Sequence, residues 1–267
     1  MPSNSEITSA HNPFFRHCLQ LRDNRKRRRA GQFLIDGGVE IHRALSAGIE
    51  VQDFIVSPSC VDADFGPAAD ERSIPVRILS DSLLSKLSYG QLHDQPIAVA
   101  KIPELPLQAL KLDTSSLVLV LDRTEKPGNL GACLRSAAAC GVTAVILTDP
   151  ICDPFNANAI RASRGTMFRV PMAICGRDEL IARAQEHSLP VFAARVDATN
   201  TFWDLPLDRG AVLVFGNEAE GLSDDWQQQV VRDFTIPMSS AADSLNLSIS
   251  AAVTLYEARR QRLRGKI

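Results

Sequence analysis

No apolar run in this 267-residue sequence is long enough to cross a membrane, and the opening residues, MPSNSEITSAHNPFF, lack the charged-then-apolar plan of a secretory leader. A cytoplasmic protein with no membrane anchor is expected. The six cysteines (Cys18, Cys60, Cys133, Cys140, Cys152 and Cys175) form no CxxC pair, and none stands at a short metal-ligand spacing from a histidine or another cysteine. That argues against a zinc site and against a disulfide frame. The cysteines read as small buried hydrophobes in a reducing compartment, and no metal is expected. Phosphate-binding fingerprints are missing too: no GxGxxG follows the first strand of the C-terminal part, and there is no P-loop. A formal net charge of −2 gives no global sign of a nucleic-acid partner.

The distribution of charge says more than its sum. Arg16, Arg22, Arg25, Lys26, Arg27, Arg28 and Arg29 crowd one segment, and Arg259, Arg260, Arg262, Arg264 and Lys266 another. Two such runs on a slightly acidic protein serve either as solvated helix faces or as contacts to a phosphate backbone. With 45% hydrophobic and 22% charged residues, the chain can bury a core as one large domain or two modest ones.

The first hundred residues alternate strand and helix. GQFLIDG, DFIVSP, IPVRILS and PIAVAKIP read as strands, GGVEIHRALSAG as a helix closed by Gly48, and DSLLSKLS as a helix capped by Ser80 or Asp81. The alternation predicts a mostly parallel sheet. A Pro-rich, polar stretch, IPELPLQALKLDTSS, then reads as a linker, which divides the chain into residues 1–105, a linker at 106–116, and residues 117–267. After it LVLVLD is a continuous apolar run, as a strand covered on both faces should be. TAVILTD, VFAARV, AVLVFG and FTIP follow as strands between helices. In the last helix Leu245, Ile249, Ala252, Val253 and Tyr256 recur at helical spacing as one apolar face.

Three turns carry candidate chemistry. After LVLVLD, Pro127-Gly128 makes a turn, and Asn129 is the expected N-cap of the helix that carries Arg135. AVLVFGNEAEG runs a strand straight into Gly216, Asn217, Glu218 and Gly221, at the carboxyl end where open α/β sheets bind ligands. TIPMSSAADSLN leads through a polar loop to Ser244, an expected N-cap, and to Asn246, whose amide needs a partner if the helix buries it. All five histidines (His11, His17, His42, His93 and His187) lie outside these turns, so histidine acid–base catalysis is not expected.

In this order and spacing the three segments resemble the SpoU/TrmH branch of the SPOUT RNA methyltransferases. The family's N-x-G-x-x-x-R element matches Asn129, Gly131 and Arg135, and its G-N-E-x-x-G turn matches Gly216, Asn217, Glu218 and Gly221. Its I-P-M…S-L-N element matches Ile236, Pro237, Met238, Ser244, Leu245 and Asn246. The stretch with Arg161, Ser163 and Gly165 looks like the family's segment between the first two motifs, and the likeness covers Leu117 to Leu263. The leading domain is similar to the ribosomal-protein-like substrate-binding domain of many members.

The resemblance implies an α/β SPOUT domain with a deep trefoil knot, an exception to the unknotted rule, and a homodimer with the knots at its interface. It implies S-adenosylmethionine as cofactor, held around Gly216, Ile236 and Leu245, with Leu213, Asn217, Met238 and Gly221 nearby. The substrate class is the ribose 2′-hydroxyl of a tRNA or rRNA nucleotide. Arg135 is the implied catalytic residue, with Asn129, Glu218, Ser244 and Asn246 shaping the pocket. Arginine is a very poor base, so its expected work is to clamp phosphate and stabilise alkoxide charge. A competing reading is an RNA-binding protein that has kept the knot and lost catalysis. A disrupted motif would favour that reading, whereas Arg135, Glu218 and Asn246 are all present.

Overall fold

The computed structural model describes residues 6–60, 73–90 and 94–264; His93 and Lys266 lie outside the described residues. In chain order, the first elements are α1 (Pro13–Gln20), α2 (Asn24–Ala30), β1 (Gln32–Asp36), α3 (Gly38–Ser46), β2 (Val51–Val56), β3 (Val76–Ile78), α4 (Asp81–Leu87) and β4 (Ile97–Lys101). There follow β5 (Leu117–Asp122), α5 (Pro127–Cys140), β6 (Ala144–Thr148), α6 (Ala157–Ala162), β7 (Met172–Cys175), α7 (Arg177–Glu186), β8 (Val191–Ala194), β9 (Ala211–Phe215), β10 (Val231–Phe234) and α8 (Leu247–Arg264). The chain groups into two compact units. One is Met1–Glu104 with Asp153–Arg169, and the other is Leu105–Cys152 with Val170–Ile267. The division read from sequence ran the second unit unbroken from 117 to 267; by backbone proximity, 153–169 group with the first.

The first unit holds a four-stranded sheet in the order β1-β4-β2-β3. Only β2 and β3 pair in parallel; β4 is antiparallel to both its neighbours. The expected mostly parallel sheet is therefore corrected. β1, β2 and β3 do run in one direction, as the strand–helix alternation demands. The last strand enters between β1 and β2 from the other side, and alternation carries no information about strand order. β4 is the buried centre, with Ile97, Ala98 and Ala100 fully covered.

α2 shows how the basic run is divided. Asp23 caps it by accepting from Lys26 N, and Gly31 ends it in the left-handed region at φ +65. Arg25, Lys26, Arg28 and Arg29 are exposed, whereas Arg27 is 2% exposed. Arg27 Nε donates to Asp153 Oδ2 at 2.6 Å and Nη1 to Leu21 O at 2.9 Å. This buried ion pair pins α2 to the later segment of its unit.

The second unit is a six-stranded, all-parallel sheet ordered β10-β8-β9-β5-β6-β7. Every residue of β5, β6 and β9 is buried, which explains their unbroken apolar sequences. β7 was not among the expected strands. It is an edge strand of four residues behind Pro171, too short and half-covered to leave an apolar run. The expected linker is packed down: Leu107 and Leu110 belong to the core of this unit.

α8 packs on α5 through Leu247, Ala251, Leu255 and Ala258, and Arg259 Nη1 donates to the α5 carbonyl of Cys140. The apolar face read from sequence is a different stripe and lies outside: Ile249 is 50% and Tyr256 55% exposed. Among the described residues no helix is long and apolar enough to cross a membrane.

Two outcomes follow. Asp153→Ala leaves Arg27 buried without its counter-charge and lowers stability by about 3–5 kcal/mol, whereas Arg27→Met with Asp153→Leu recovers most of the loss, both read from denaturant unfolding. No disulfide joins the six cysteines, and burial pushes Cys18, Cys133 and Cys175 from the ordinary 9.0 up to about 12. The unfolded chain gives up these thiol protons first, so stability falls as pH rises between those two values, and a cysteine-free variant flattens that fall.

Candidate active site

The site is built where the carboxyl ends of β5, β8, β9 and β10 meet the loop before α8. β9 ends in a turn that its own side chains close. Asn217 and Gly221 exchange both backbone hydrogen bonds at 3.0 Å. Asn217 Oδ1 accepts from Ala219 N (2.7 Å) and Glu220 N (3.2 Å), and its Nδ2 donates to Arg123 O at 3.0 Å. Gly216 has no alternative: a Cβ there would lie 2.3 Å from the carbonyl carbon of Gly221. Arg123, directly after β5, is itself held at φ +49, a conformation bulky residues avoid.

Beneath β5, burial lifts the Asp122 carboxyl above the ordinary carboxylate range, opposed by a hydrogen bond from Thr148 Oγ1 at 2.6 Å.

Helix α5 begins at Pro127, so Asn129 lies in its first turn, with Lys126 at the cap position. The expected N-cap role of Asn129 is corrected. Proline's fixed φ suits the first helical position and starts the helix three residues earlier, which frees the Asn129 side chain to reach outward. Asn129 Nδ2 donates to Glu218 Oε1 at 3.0 Å, and Asn129 Oδ1 accepts from Asn246 Nδ2 at 3.1 Å. Glu218 Oε2 accepts from Glu125 N at 3.4 Å. One relay thus ties together residues separated by 89 and 117 positions in the chain, one from each of the three turns.

Asn246 also caps α8, its Oδ1 accepting from Ser248 N (2.9 Å) and Oγ (2.7 Å). Ser244, expected at the cap, is left outside the helix, exposed and free to serve the cavity. The Asn246 amide is exposed, not buried, and its partner is Asn129.

Beside the relay opens a cavity of about 300 Å³. Gly216, Asn217, Gly221, Ile236, Met238 and Leu245 all line it, as do Glu218 and Ser244. Leu213 does not; it sits inside β9, fully buried, two residues short of the strand's end. Asn217 lines the cavity with a side chain already committed to the turn. Arg135 is exposed on α5, does not line the cavity, and has no recorded hydrogen bond or ion pair among the described residues.

Sequence reasoning missed Arg195, Thr235 and Asp243 in the cavity wall. Arg195 and Thr235 directly follow β8 and β10, so the rule that sheet ligands bind at carboxyl ends would have found them. Phe215, Phe234, Ile236 and Met238 give the cavity apolar walls, and Glu218, Glu220 and Asp243 bring carboxylates to it. Such a lining fits an adenosine-bearing cation such as S-adenosylmethionine: apolar surface for the ring and negative charge for the sulfonium.

The fold and site therefore define an α/β enzyme with a small-molecule site at the carboxyl edge of a parallel sheet. Residues 116–256 match the model of the SpoU rRNA methylase family, and residues 4–113 match the N-terminal domain of thiostrepton-resistance methylases. A tRNA/rRNA methyltransferase of Synechocystis is 30% identical, over 96% of this chain and 94% of that protein. The 23S rRNA (guanosine(2553)-2′-O)-methyltransferase of Bacillus subtilis is 27% identical, over 95% of this chain and 99% of that protein. The AdoMet-bound crystal structure of a SpoU methyltransferase from Streptomyces viridochromogenes, 26% identical, superposes with a TM-score of 0.86 over 95% of this chain and 100% of that chain. The chain belongs to the SpoU rRNA methylase family. It is an S-adenosylmethionine-dependent RNA 2′-O-methyltransferase.

Gly216→Ala should open the turn and weaken AdoMet binding by roughly tenfold or more in calorimetry. Leu213→Ile, away from the cavity, should leave it within about twofold.

Proposed function

We propose that the protein methylates a ribose 2′-hydroxyl of ribosomal RNA in the cytoplasm, acting as a homodimer. The observation that carries this reading is the Asn246–Asn129–Glu218 relay beside the cavity, which joins all three motifs at one point. Ribosomal RNA is favoured over tRNA because the family model and the Bacillus subtilis relative both carry rRNA in their names.

S-adenosylmethionine supplies a methyl group already activated on a sulfonium, which leaves positioning and hydroxyl activation to the protein. Ile236, Met238 and Leu245 hold the adenine, with the backbone around Gly216 and Gly221. Asn217 keeps that backbone in place. Asn129, Glu218 and Asn246 fix the two loops against the first turn of α5, and Ser244, free at the cavity rim, orients the ribose. Arg135 clamps the target phosphate and stabilises the alkoxide as the hydroxyl proton leaves. Its guanidinium is suited to this because no carboxylate among the described residues pairs with it.

Residues 1–105 serve as the RNA-binding domain and residues 117–267 as the methyltransferase domain. The deep trefoil knot is supported by the strand order, which returns the chain from the central β9 to the outer β10 and then to α8 against α5. The homodimer is supported by the outer stripe of α8, where Ile249, Val253 and Tyr256 are 38–55% exposed. Apolar side chains gathered on one exposed helix face mark a contact surface. Cytoplasmic placement agrees with rRNA as substrate and with six cysteines that no disulfide joins.

The test is methyl transfer from labelled AdoMet to total rRNA from cells lacking the protein, followed by mapping of the modified ribose. Arg135→Ala should lower the rate by roughly 10²–10³-fold while AdoMet affinity stays within about twofold. Undiminished labelling by that variant removes Arg135 from the mechanism. A wild-type protein that binds AdoMet and labels no RNA is the catalytically silent binder instead.

A further inference from the structure

The first unit contains a second, smaller cavity of about 90 Å³ that the chemistry above does not use. Leu21, Leu34 and Phe155 give it apolar walls, Tyr89 adds a half-buried aromatic ring, and Arg27 and Asn156 are polar groups in its lining. Arg27 is held from two sides, by Asp153 Oδ2 at Nε and by Leu21 O at Nη1. Its remaining nitrogen, Nη2, is buried and has no hydrogen-bond partner. A charged donor fixed in place and left unpaired in the wall of a cavity is completed by an acceptor brought in from outside. The same short helix turns Arg25, Lys26, Arg28 and Arg29 outward, where all four are exposed.

Resting on the reading of the protein as an RNA methyltransferase, we propose that this cavity receives one unstacked, carbonyl-bearing base of the RNA, while the exposed cations of α2 hold neighbouring phosphates. Backbone contacts position an RNA and base contacts specify it. Here α2 does both, with four cations on one side and one preset donor on the other. An aromatic ring and an arginine are the groups that recognise splayed-out bases. The cavity is small, so the base alone enters it and the sugar and phosphates remain outside, beside the cations. Phe155 is braced from behind by Phe33, with ring centroids 4.8 Å apart, which keeps that wall rigid.

The test is fluorescence anisotropy of the full chain, without AdoMet, against a labelled uridine octamer and an abasic ribose-phosphate strand of equal length and charge. The octamer should bind roughly tenfold more tightly. Ala157→Phe, which fills the cavity from its partly exposed rim, and Tyr89→Ala, which removes a wall, should each cut that preference to about twofold or less and leave the abasic affinity unchanged. Replacing Arg25, Lys26, Arg28 and Arg29 together by Gln should weaken both strands and reduce the slope of log affinity against log salt by roughly 3. Thermal melts of each variant establish that it is folded.

Equal binding of the two strands by wild type overturns the proposal, as does a preference that survives in both cavity variants. Competition by uridine monophosphate at the octamer's own concentration also overturns it, since the site then takes a free nucleotide. Because no methyl donor is present, a failure of methyl transfer leaves this measurement intact. Conversely, loss of the base preference in a protein that still methylates rRNA counts against the cavity alone.

Discussion

The primary amide of Asn129 has an acceptor on one side and a donor on the other, and the site uses both. Glu218 offers only acceptor oxygens, so it fixes which side of the amide faces it, and the opposite side then receives Asn246. Glutamate or aspartate at this position could not donate to Glu218, and serine would not reach both partners. Each bond is modest, about 0.5–1.5 kcal/mol for a neutral pair and more with the carboxylate. Their value is geometric: two loops from distant parts of the chain are held to the rigid first turn of a helix. Everything near the cavity depends on that attachment, including the cap of α8, since Asn246 presents one side of its amide to Asn129 and the other to Ser248.

The sheet makes this attachment possible by bringing β5 and β9 side by side. Their parallel register aligns Leu121 with Phe215, so Arg123 and Gly216–Asn217 emerge together. Asn217 Nδ2 reaches the Arg123 carbonyl across that gap. The backbone of Gly221 and Leu222 leaves no room for a Cβ at Gly216, and Arg123 lies in the left-handed region. Strain of this kind costs about 1–3 kcal/mol per residue and persists only where surrounding contacts over-determine it. The reciprocal bonds of the Gly221 turn supply that over-determination.

Some of this was legible in the residues and some was not, for physical reasons. β5 and β9 were readable because strands covered on both faces are apolar along nearly their whole length, with only Asp122 at the end of β5 departing from that, whereas the edge strand β7 carries no such signal. The order of strands in the first unit was not readable, because placing β4 between β1 and β2 changes the pairing without changing the pattern. Pro127 was the better guide to the start of α5 than Asn129: capping residues are common in first turns, while proline at N1 is restrictive. The motifs located the cavity because a Gly-bearing turn at a strand end has few other uses, yet Leu213 lies inside the strand, since a residue two positions from the end points into the core. The apolar stripe of α8 was read correctly as a stripe, but periodicity does not say what covers it. The helix carries two stripes, and the one packed inside mixes Leu247 and Leu255 with the small residues Ala251 and Ala258, which mark no apolar face by themselves. The burial of Arg27 amid exposed cations was invisible without Asp153, which stands 126 positions away.

The position of Arg135 outside the relay has an electrostatic logic. A guanidinium that faced Glu218 would form an ion pair, and its charge would be spent before substrate arrived. The carboxylate is instead occupied by Asn129 and the amide of Glu125, neither of which carries a net charge. On the proposed reading, Glu218 offers its carboxylate to the cavity side, where a sulfonium would be attracted, and Arg135 is left for phosphate and developing alkoxide. A carboxylate held by neutral donors stays uncompensated in a way that one held by a guanidinium does not. Asn129 thus does for the charges what it does for the loops: it fixes one of them in place without neutralising it.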